Sequence, residues 1–188
     1  MILNKISDDI WMWEDFFKSP ESILQYFLEN NEWKSFHNQN LEIKGTKTQI
    51  GVFDHHIYYD MIKHRLNKCL TEYLSWRGKD INNYDFHGNL TNIISNYPGW
   101  TTGPHTDFAF LDDNYGGKGE ALDFTICIYY NDNYIGGELA FPDHGFKEKM
   151  KPGSMVIFDQ YTVHDALPLV SGPRYMSMIP VMKKKALA

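Results

Sequence analysis

Two histidines and one aspartate have the residue types and spacing of a metal-binding set. His105 and Asp107 are two residues apart, so in an extended segment their side chains leave the same face. His164 follows later in the chain and supplies a second imidazole. Two imidazole nitrogens and one carboxylate oxygen suit divalent iron, and three protein ligands leave three coordination positions open. The sequence therefore predicts a metal centre formed by His105, Asp107 and His164.

The His-x-Asp spacing is weak evidence when it stands alone. A chain with 8 His and 24 acidic residues contains about one such pair by chance. Zinc is the competing metal, but a structural zinc site normally has four ligands, and neither Cys69 nor Cys127 has a suitable spacing. Catalytic zinc with two histidines and a carboxylate normally uses His-Glu-x-x-His on a helix, a motif that this sequence lacks.

Arg174 follows His164 by ten residues, in a segment with the pattern of a strand. Met176 and Met178 share its face in such a strand, so the guanidinium is expected to point into an apolar interior. A buried guanidinium without a partner is very costly, and its fork matches a carboxylate with two hydrogen bonds. We therefore expect Arg174 to bind a carboxylate of a ligand or of the chain; a structural salt bridge or an exposed arginine is the alternative.

Four sequence blocks surround these residues. They are Tyr97-Pro-Gly with His105-Thr-Asp107, then Cys127-Ile-Tyr-Tyr130-Asn131, then Gly136-Gly-Glu-Leu139-Ala-Phe141, and last Pro152-Gly-Ser-Met-Val-Ile-Phe158 running on to His164 and Arg174. In this order they resemble the blocks of the 2-oxoglutarate- and Fe(II)-dependent oxygenases, most closely those of the prolyl-4-hydroxylase-like branch. The resemblance covers residues 90–181, roughly half of the chain.

The resemblance implies roles for individual residues. His105, Asp107 and His164 would bind Fe(II), and Arg174 would hold the distal carboxylate of the cosubstrate 2-oxoglutarate. The other implied cosubstrate contacts are an assisting tyrosine, a tyrosine over the cosubstrate and an apolar wall, at Tyr130, Tyr97 and Leu139 respectively. The implied reaction hydroxylates an unactivated C–H bond with O2 while 2-oxoglutarate is converted to succinate and carbon dioxide, with ascorbate as a stimulant.

The resemblance also implies a substrate, which is a prolyl residue in a peptide or protein. A free amino acid or another small metabolite is the enzymatic alternative, and a non-catalytic jelly-roll binding module is the alternative of another class. Residues 108–121 are rich in glycine and directly follow Asp107, which predicts a mobile flap over the substrate or else a flexible hairpin. Trp100 and Tyr161 are either walls of the pocket mouth or aromatic core residues.

Composition limits the class of protein. A chain of 188 residues with 43% apolar residues is long enough for one packed domain. The net charge of −6 argues against nucleic-acid binding, which depends on basic contacts to phosphate. Two distant cysteines, the absence of a signal-peptide pattern and the absence of a long apolar run predict a soluble, intracellular, cytoplasmic protein without membrane contact.

Hydrophobic periodicity predicts a mainly β fold behind a helical first part. One or two helices are expected over residues 8–32 and another over residues 55–76, whereas residues 33–52 fit either a strand pair or a loop. The expected arrangement is a single domain, 1–188, with a helical support region at 1–80 and a double-stranded β-helix (jelly roll) catalytic core at 81–182. Period-two segments predict strands at 84–97, 107–111, 122–130, 138–141, 154–159, 162–167 and 174–181.

Overall fold

The computed structural model describes residues 1–30, 33–36, 48–51, 57–86, 93–107 and 122–184, with 33–36 and 48–51 described as backbone. These ranges hold two α-helices and fourteen strands. In chain order they are β1 (Ile2–Lys5), β2 (Ile10–Glu14), α1 (Pro20–Glu29), β3 (Trp33–Phe36), β4 (Thr48–Gly51), α2 (Tyr59–Trp76), β5 (Tyr84–Phe86), β6 (Ile93–Asn96), β7 (Leu122–Tyr129), β8 (Ile135–Gly136), β9 (Leu139–Phe141), β10 (Phe146–Glu148), β11 (Met155–Asp159), β12 (Asp165–Ala166), β13 (Leu169–Ser171) and β14 (Arg174–Lys183).

One large antiparallel sheet forms the centre of the fold. Its strand order is β1-β2-β11-β7-β14-β6-β4-β3, and β5 pairs with the C-terminal end of β14. β7 and β14 lie in the middle and pair with each other along most of β7. Because both faces of β7 are covered, its sequence is apolar at nearly every position instead of alternating between apolar and polar residues.

The two α-helices cover one face of this sheet. Pro20 stands in the first turn of α1, where its fixed φ and missing N–H are tolerated. α2 buries residues spaced three and four apart, as an amphipathic helix does. None of the helices in the described ranges has the length and apolar character needed to cross a membrane. The helices and the sheet together form a helix-side cluster that includes Phe27, Leu66, Leu70, Phe124, Ile157 and Ile179.

Shorter strands cover the other face of the large sheet. β9 pairs with β10 and β12, β8 pairs with β13, and residues 99–105 run antiparallel to residues 164–169 along β12. Two facing antiparallel layers with helices outside form a double-stranded β-helix, so the predicted fold class is confirmed. The side chains between the layers form a barrel cluster that includes Met12, Cys127, Tyr129, Leu139, Phe158 and Met176.

The first part of the chain differs most from the sequence-based prediction. Residues 10–14 form strand β2, so the helix predicted over 8–32 is wrong there and correct only for α1. β2 is a strand because it pairs with β11, which buries Trp11 and Trp13 on the helix side and Ile10 and Met12 in the barrel. Residues 33–36 and 48–51 form the antiparallel pair β3–β4, so the strand alternative is correct for these residues. The predicted helical support region thus also contributes four strands to the large sheet.

Candidate active site

His105 and His164 lie directly opposite each other on two neighbouring antiparallel segments. The backbone N–H of each residue donates to the carbonyl oxygen of the other, both at 2.9 Å. Residues that face each other in this way project their side chains from the same face of the sheet. The two imidazole ring centres are consequently only 4.3 Å apart. Backbone pairing therefore brings together two histidines that are far apart in the sequence.

Hydrogen bonds to backbone carbonyls fix the protonation pattern of both rings. Nδ1 of His105 lies 2.8 Å from the Gly103 carbonyl oxygen, and Nδ1 of His164 lies 3.0 Å from the Thr162 carbonyl oxygen. A carbonyl oxygen only accepts, so Nδ1 is the protonated nitrogen in each ring. The Nε2 lone pair of a neutral ring is then available to a metal, with the carbonyl as the orienting partner.

Asp107 completes the set. Its buried Oδ1 atom lies 3.7 Å from Nε2 of His105 and 3.5 Å from Nε2 of His164. The three ligand atoms all lie within 4.8 Å of one another. Ligand atoms about 2.1 Å from one cation and at right angles to each other lie about 3 Å apart, so a bound ion would draw these side chains somewhat closer than their 3.5 and 3.7 Å separations. Three lone-pair donors that converge in this way fit a divalent cation.

The environment of His164 favours the metal-binding form of the ring. Burial lowers the pKa of His164 below its ordinary value, and the neighbouring Asp107 carboxylate only partly opposes this effect. The neutral imidazole, which is the form that ligates metals, is therefore favoured. The Phe158 ring packs 4.5 Å from the His164 ring, centre to centre, and restricts its orientation.

Thr125 is a site residue that the sequence analysis missed. This buried β7 residue donates a hydrogen bond from Oγ1 to Oδ2 of Asp107, which leaves Oδ1 directed at the two histidines. Outer partners of this kind orient a ligating carboxylate. A threonine within an apolar strand carries no distinctive motif, so only the three-dimensional structure identifies its role.

Thr125→Val is expected to weaken divalent metal binding about tenfold or more, because the Asp107 carboxylate loses the hydroxyl that orients it. Anaerobic titration with Fe(II) or Mn(II) measures the effect. Thr125→Ser keeps the hydroxyl and is the matched control, with affinity close to that of the unmodified protein. Equal metal affinity in the valine variant would contradict the role given to Thr125.

Arg174 is fully buried, at 0% exposure, and lies at the start of β14. Its Nη1 donates to the Gly137 carbonyl oxygen at 2.8 Å, and its Nη2 donates to Oδ1 of Asn96 at 3.1 Å. Among the ion pairs of the described residues, none involves Arg174. The structural salt bridge that was the alternative is therefore not seen in this part of the chain. A buried cation without a carboxylate fits an anionic ligand.

One face of β7 connects the metal ligands with Arg174. Thr125, Cys127 and Tyr129 alternate along the strand and share the face that looks into the barrel. Thr125 bonds to Asp107, whereas Tyr129 is directly opposite Met176, two residues from Arg174 on β14. Burial raises the pKa of Tyr129 well above its ordinary value, although Arg174 opposes the shift, so the hydroxyl stays protonated. The inner face of β7 thus lies between the metal ligands and Arg174.

Tyr130 does not lie on this inner face of β7, which corrects the expectation for that residue. Tyr130 projects from the opposite face of the sheet and belongs to the helix-side cluster. Its ring stacks near Phe17, and its hydroxyl lies 2.9 Å from Oγ of Ser177. The tyrosine on the Arg174 side is its neighbour, Tyr129. The sequence alone does not show which of two adjacent tyrosines lies on the Arg174 side. The register of β7 against β14 shows that it is Tyr129.

Comparisons with known proteins agree with this architecture. The structure is similar to viral collagen prolyl hydroxylase from Paramecium Bursaria Chlorella virus-1 in its 2OG complex, with a TM-score of 0.63 and 17% identity over 93% of this chain and 96% of that one. It is also similar to a prolyl hydroxylase of Trichoplax adhaerens in complex with a hypoxia inducible factor peptide fragment, with a TM-score of 0.60 and 19% identity over 94% and 84% of the two chains. The chain has the fold of the 2-oxoglutarate- and Fe(II)-dependent oxygenases.

A comparison of sequences gives a further, partial match, to a hydroxylase. A PKHD-type hydroxylase of Maricaulis maris (strain MCS10) is 33% identical over 85 residues, which are 44% of this chain. The match spans only 37% of that relative's own length. A scan against family models found no match. The resemblance to prolyl-hydroxylase-like oxygenases that was inferred from the sequence blocks is confirmed by these similarities.

The remaining predicted site residues have different positions in the oxygenase fold. Leu139 is buried in the barrel cluster, to which Cys127 and Tyr129 of the inner face of β7 also belong, and its role as a pocket wall stays a prediction. Tyr97 is half-buried and lies near Tyr175, whose pKa is raised by burial and, to a smaller extent, by Tyr97. The contact of Tyr97 with the cosubstrate also stays a prediction. The predicted flap at 108–121 lies outside the described residues.

The two aromatic residues considered for the pocket mouth have different environments. Trp100 covers Arg174, whose guanidinium carbon lies 4.7 Å from the centre of the indole ring. Tyr161 is 62% exposed and lines a separate surface cavity of about 180 Å³ together with three aspartates, Asp9, Asp143 and Asp159. The structure thus places Trp100, and not Tyr161, beside the buried cation.

Proposed function

We propose that this chain is an Fe(II)- and 2-oxoglutarate-dependent hydroxylase that acts on a prolyl residue in a peptide or protein. The observation that carries the proposal is the combination of two sites in one barrel. Three ligand atoms converge at His105, Asp107 and His164, and the buried Arg174 has no carboxylate partner among the described residues. A non-catalytic jelly-roll module has no need for both features in one barrel.

The protein residues have separate tasks in this reaction. His105, Asp107 and His164 would hold the metal, and as only three ligands they would leave coordination positions for the cosubstrate and O2. Arg174 binds the distal carboxylate of 2-oxoglutarate and so directs the opposite end of the cosubstrate toward the metal. The apolar side chains of the barrel cluster keep water away from the ligand. Bound iron and cosubstrate supply the oxidation of a C–H bond by O2.

The proposal of a peptidyl proline rests on relatives. The solved structures with the same fold include a viral collagen prolyl hydroxylase and a prolyl hydroxylase in complex with a peptide fragment. Because their identity to this chain is below 20%, they support the substrate class only by analogy. A free amino acid or small metabolite is therefore kept as an outcome of the test.

The test measures succinate formed by protein supplied with Fe(II), 2-oxoglutarate, O2 and ascorbate. Proline-containing peptides are expected to raise succinate formation above the level without substrate, and the peptide should gain one oxygen atom by mass spectrometry. Stimulation by free amino acids alone would exclude the peptide substrate and leave the oxygenase proposal standing. The binding-module alternative would hold if the protein bound no iron and formed no succinate under any condition.

Tyr129→Phe is expected to raise the 2-oxoglutarate concentration for half-maximal turnover about fivefold, because the pocket loses one hydroxyl donor near Arg174. Tyr130→Phe is the matched comparison on the other face of the sheet. It should leave the 2-oxoglutarate requirement unchanged and lower the free energy of unfolding by about 1 kcal/mol, since Ser177 loses its hydrogen-bond partner. Steady-state kinetics and denaturant titration measure the two quantities. The reverse result would restore Tyr130 as the cosubstrate residue.

A further inference from the structure

Four residues from three segments surround the Arg174 end of the barrel. We call this group, Asn96, Trp100, Tyr134 and Arg174, the distal pocket. Asn96 accepts a hydrogen bond from Arg174, and the indole ring of Trp100 covers the guanidinium. A Cβ atom at Gly137 would lie 3.4 Å from the Tyr134 ring and 3.6 Å from Nη1 of Arg174, so this glycine marks where the two side chains come together.

Three hydrogen-bond donors of the distal pocket are buried without an acceptor. Nε1 of Trp100, Nδ2 of Asn96 and the hydroxyl of Tyr134 have no hydrogen-bond partner within the described part of the chain. Burial raises the pKa of Tyr134 to about 12, against the opposing effect of Arg174, so the hydroxyl keeps its proton. A buried donor left unpaired destabilises the protein, because it gives up its hydrogen bond to water without a replacement.

The charge and the free hydrogen-bonding groups of the distal pocket favour an anionic ligand. Arg174 is a cation without a carboxylate partner among the described residues, Trp100 Nε1 and Asn96 Nδ2 are N–H donors, and the protonated Tyr134 hydroxyl can also donate. A carboxylate has two oxygens with about four lone-pair positions, enough to accept from the guanidinium and from a neighbouring donor together. The distal pocket is therefore built for a carboxylate.

The backbone holds Trp100 rigidly at this position. The Trp100 carbonyl accepts from the Leu169 N–H at 3.0 Å, and the Gly99 N–H donates to the Leu169 carbonyl at 2.7 Å. The Trp100 N–H in turn donates to the Tyr97 carbonyl at 3.0 Å. The same segment continues to His105, so the indole and a metal ligand belong to one hydrogen-bonded stretch of chain. These bonds fix the backbone from which the Trp100 side chain extends toward Arg174.

Resting on the proposed function, we propose that Trp100 binds the cosubstrate, with its indole N–H donating to the carboxylate that Arg174 holds. The indole ring covers the guanidinium and excludes water from it, which strengthens the ion pair with the ligand. A residue that served only to pack on Arg174 would need the aromatic face alone. The Nε1 of Trp11 is also unpaired, within the helix-side cluster, but the Nε1 of Trp100 belongs to a side chain that lies against a buried cation, in a group with two further unpaired donors.

The experiment uses protein loaded with Zn(II), which binds ligands without turnover, and compares two 2-oxo acids. 2-Oxoglutarate has a distal carboxylate, and pyruvate lacks one. Trp100→Phe keeps an aromatic ring and removes the N–H, so 2-oxoglutarate should bind about tenfold more weakly while pyruvate binding is unchanged. Trp76→Phe is the matched control, because Trp76 lies on α2 and is 59% exposed. Isothermal titration calorimetry measures the affinities.

A second readout follows the indole directly in the unmodified protein. The sequence has five tryptophans, and the indole resonance of Trp100 is the one missing from the ¹⁵N spectrum of Trp100→Phe. Saturation with 2-oxoglutarate should move this resonance in the direction of a stronger hydrogen bond, and saturation with pyruvate should not. An unmoved resonance, or 2-oxoglutarate affinity within twofold of the unmodified protein in Trp100→Phe, would overturn the inference.

The inference and the proposed function fail in different ways. If neither the Trp100 resonance nor the 2-oxoglutarate affinity of Trp100→Phe changes, while 2-oxoglutarate still binds and its binding depends on Arg174, only the role of Trp100 is refuted. If the unmodified Zn(II) protein does not bind 2-oxoglutarate, or binds it equally well after Arg174→Met, the proposed function itself is refuted. Where a Trp100 variant is poorly folded, through-bond triple-resonance experiments on the unmodified protein assign the indole resonance instead, so the spectrum still tests the role of the indole N–H.

Discussion

Asp107→Ala is expected to lower turnover about a thousandfold or more, the largest effect expected for a single substitution in this protein. The alanine removes the anionic ligand and leaves two neutral imidazoles to hold a dication. Loss of several kcal/mol of metal binding corresponds to this factor, at about 1.4 kcal/mol for each tenfold change. Succinate formation and the iron content of the purified protein should fall together.

The control for Asp107→Ala is Asp143→Ala. Asp143 is an exposed aspartate in the turn after β9, outside the group of ligand atoms. Its loss should leave iron content and turnover within twofold of the unmodified protein. An Asp107→Ala variant that retained stoichiometric iron and more than a tenth of the turnover would disprove the metal centre described above.

Arg174→Met is expected to raise the 2-oxoglutarate concentration for half-maximal turnover about a hundredfold. Two charge-assisted hydrogen bonds to a carboxylate are lost, at about 1.5–3 kcal/mol each before the remaining groups compensate. Because Arg174 has no ion-pair partner among the described residues, the substitution to methionine leaves no carboxylate of these residues without its counter-charge. The damage should therefore fall on cosubstrate binding, measured by steady-state kinetics and by titration calorimetry.

Arg77 provides a contrasting arginine in the same chain. It bridges two carboxylates, donating to Asp9 and, at 3.1 Å, to Asp159. Arg77→Met should reduce the free energy of unfolding by about 1 kcal/mol, since these pairs are partly exposed, and leave the 2-oxoglutarate requirement unchanged. If Arg174→Met behaved like Arg77→Met, with lower stability and an unchanged requirement, Arg174 would be a structural residue and not a ligand-binding one.

Sequence patterns were informative where chemistry restricts residue type. A His-x-Asp pair, a later histidine and an arginine beyond it are specific enough to predict which side chains meet, and the structure brings His105, Asp107 and His164 together. They were uninformative where the answer depended on strand register. Tyr129 and Tyr130 are chemically alike, and only the pairing of β7 with β14 shows which of them faces Arg174.

Local periodicity also failed where tertiary pairing overrides it. Residues 10–14 carry aromatic and apolar side chains at every position up to Glu14, a pattern that fits a buried helix segment as well as a strand. Pairing with β1 and β11 on both sides decides the matter. Thr125 and Trp100 were similarly hard to interpret, because a threonine and a tryptophan have many roles in a protein interior. Only the structure shows the contacts on which their proposed roles rest, with Asp107 for Thr125 and with Arg174 for Trp100.

The direct backbone pairing of His105 with His164 makes the metal centre more sensitive to chain length than to composition. Side chains alternate in direction along extended segments, so one inserted or deleted residue would turn an imidazole from the barrel interior to its outer surface. Substitutions at intervening positions leave that alternation intact. Chains that keep this centre can therefore drift in sequence at the positions of 99–105 and 164–169 other than Trp100, His105 and His164, whereas gains and losses of residues must be confined to other parts of the molecule.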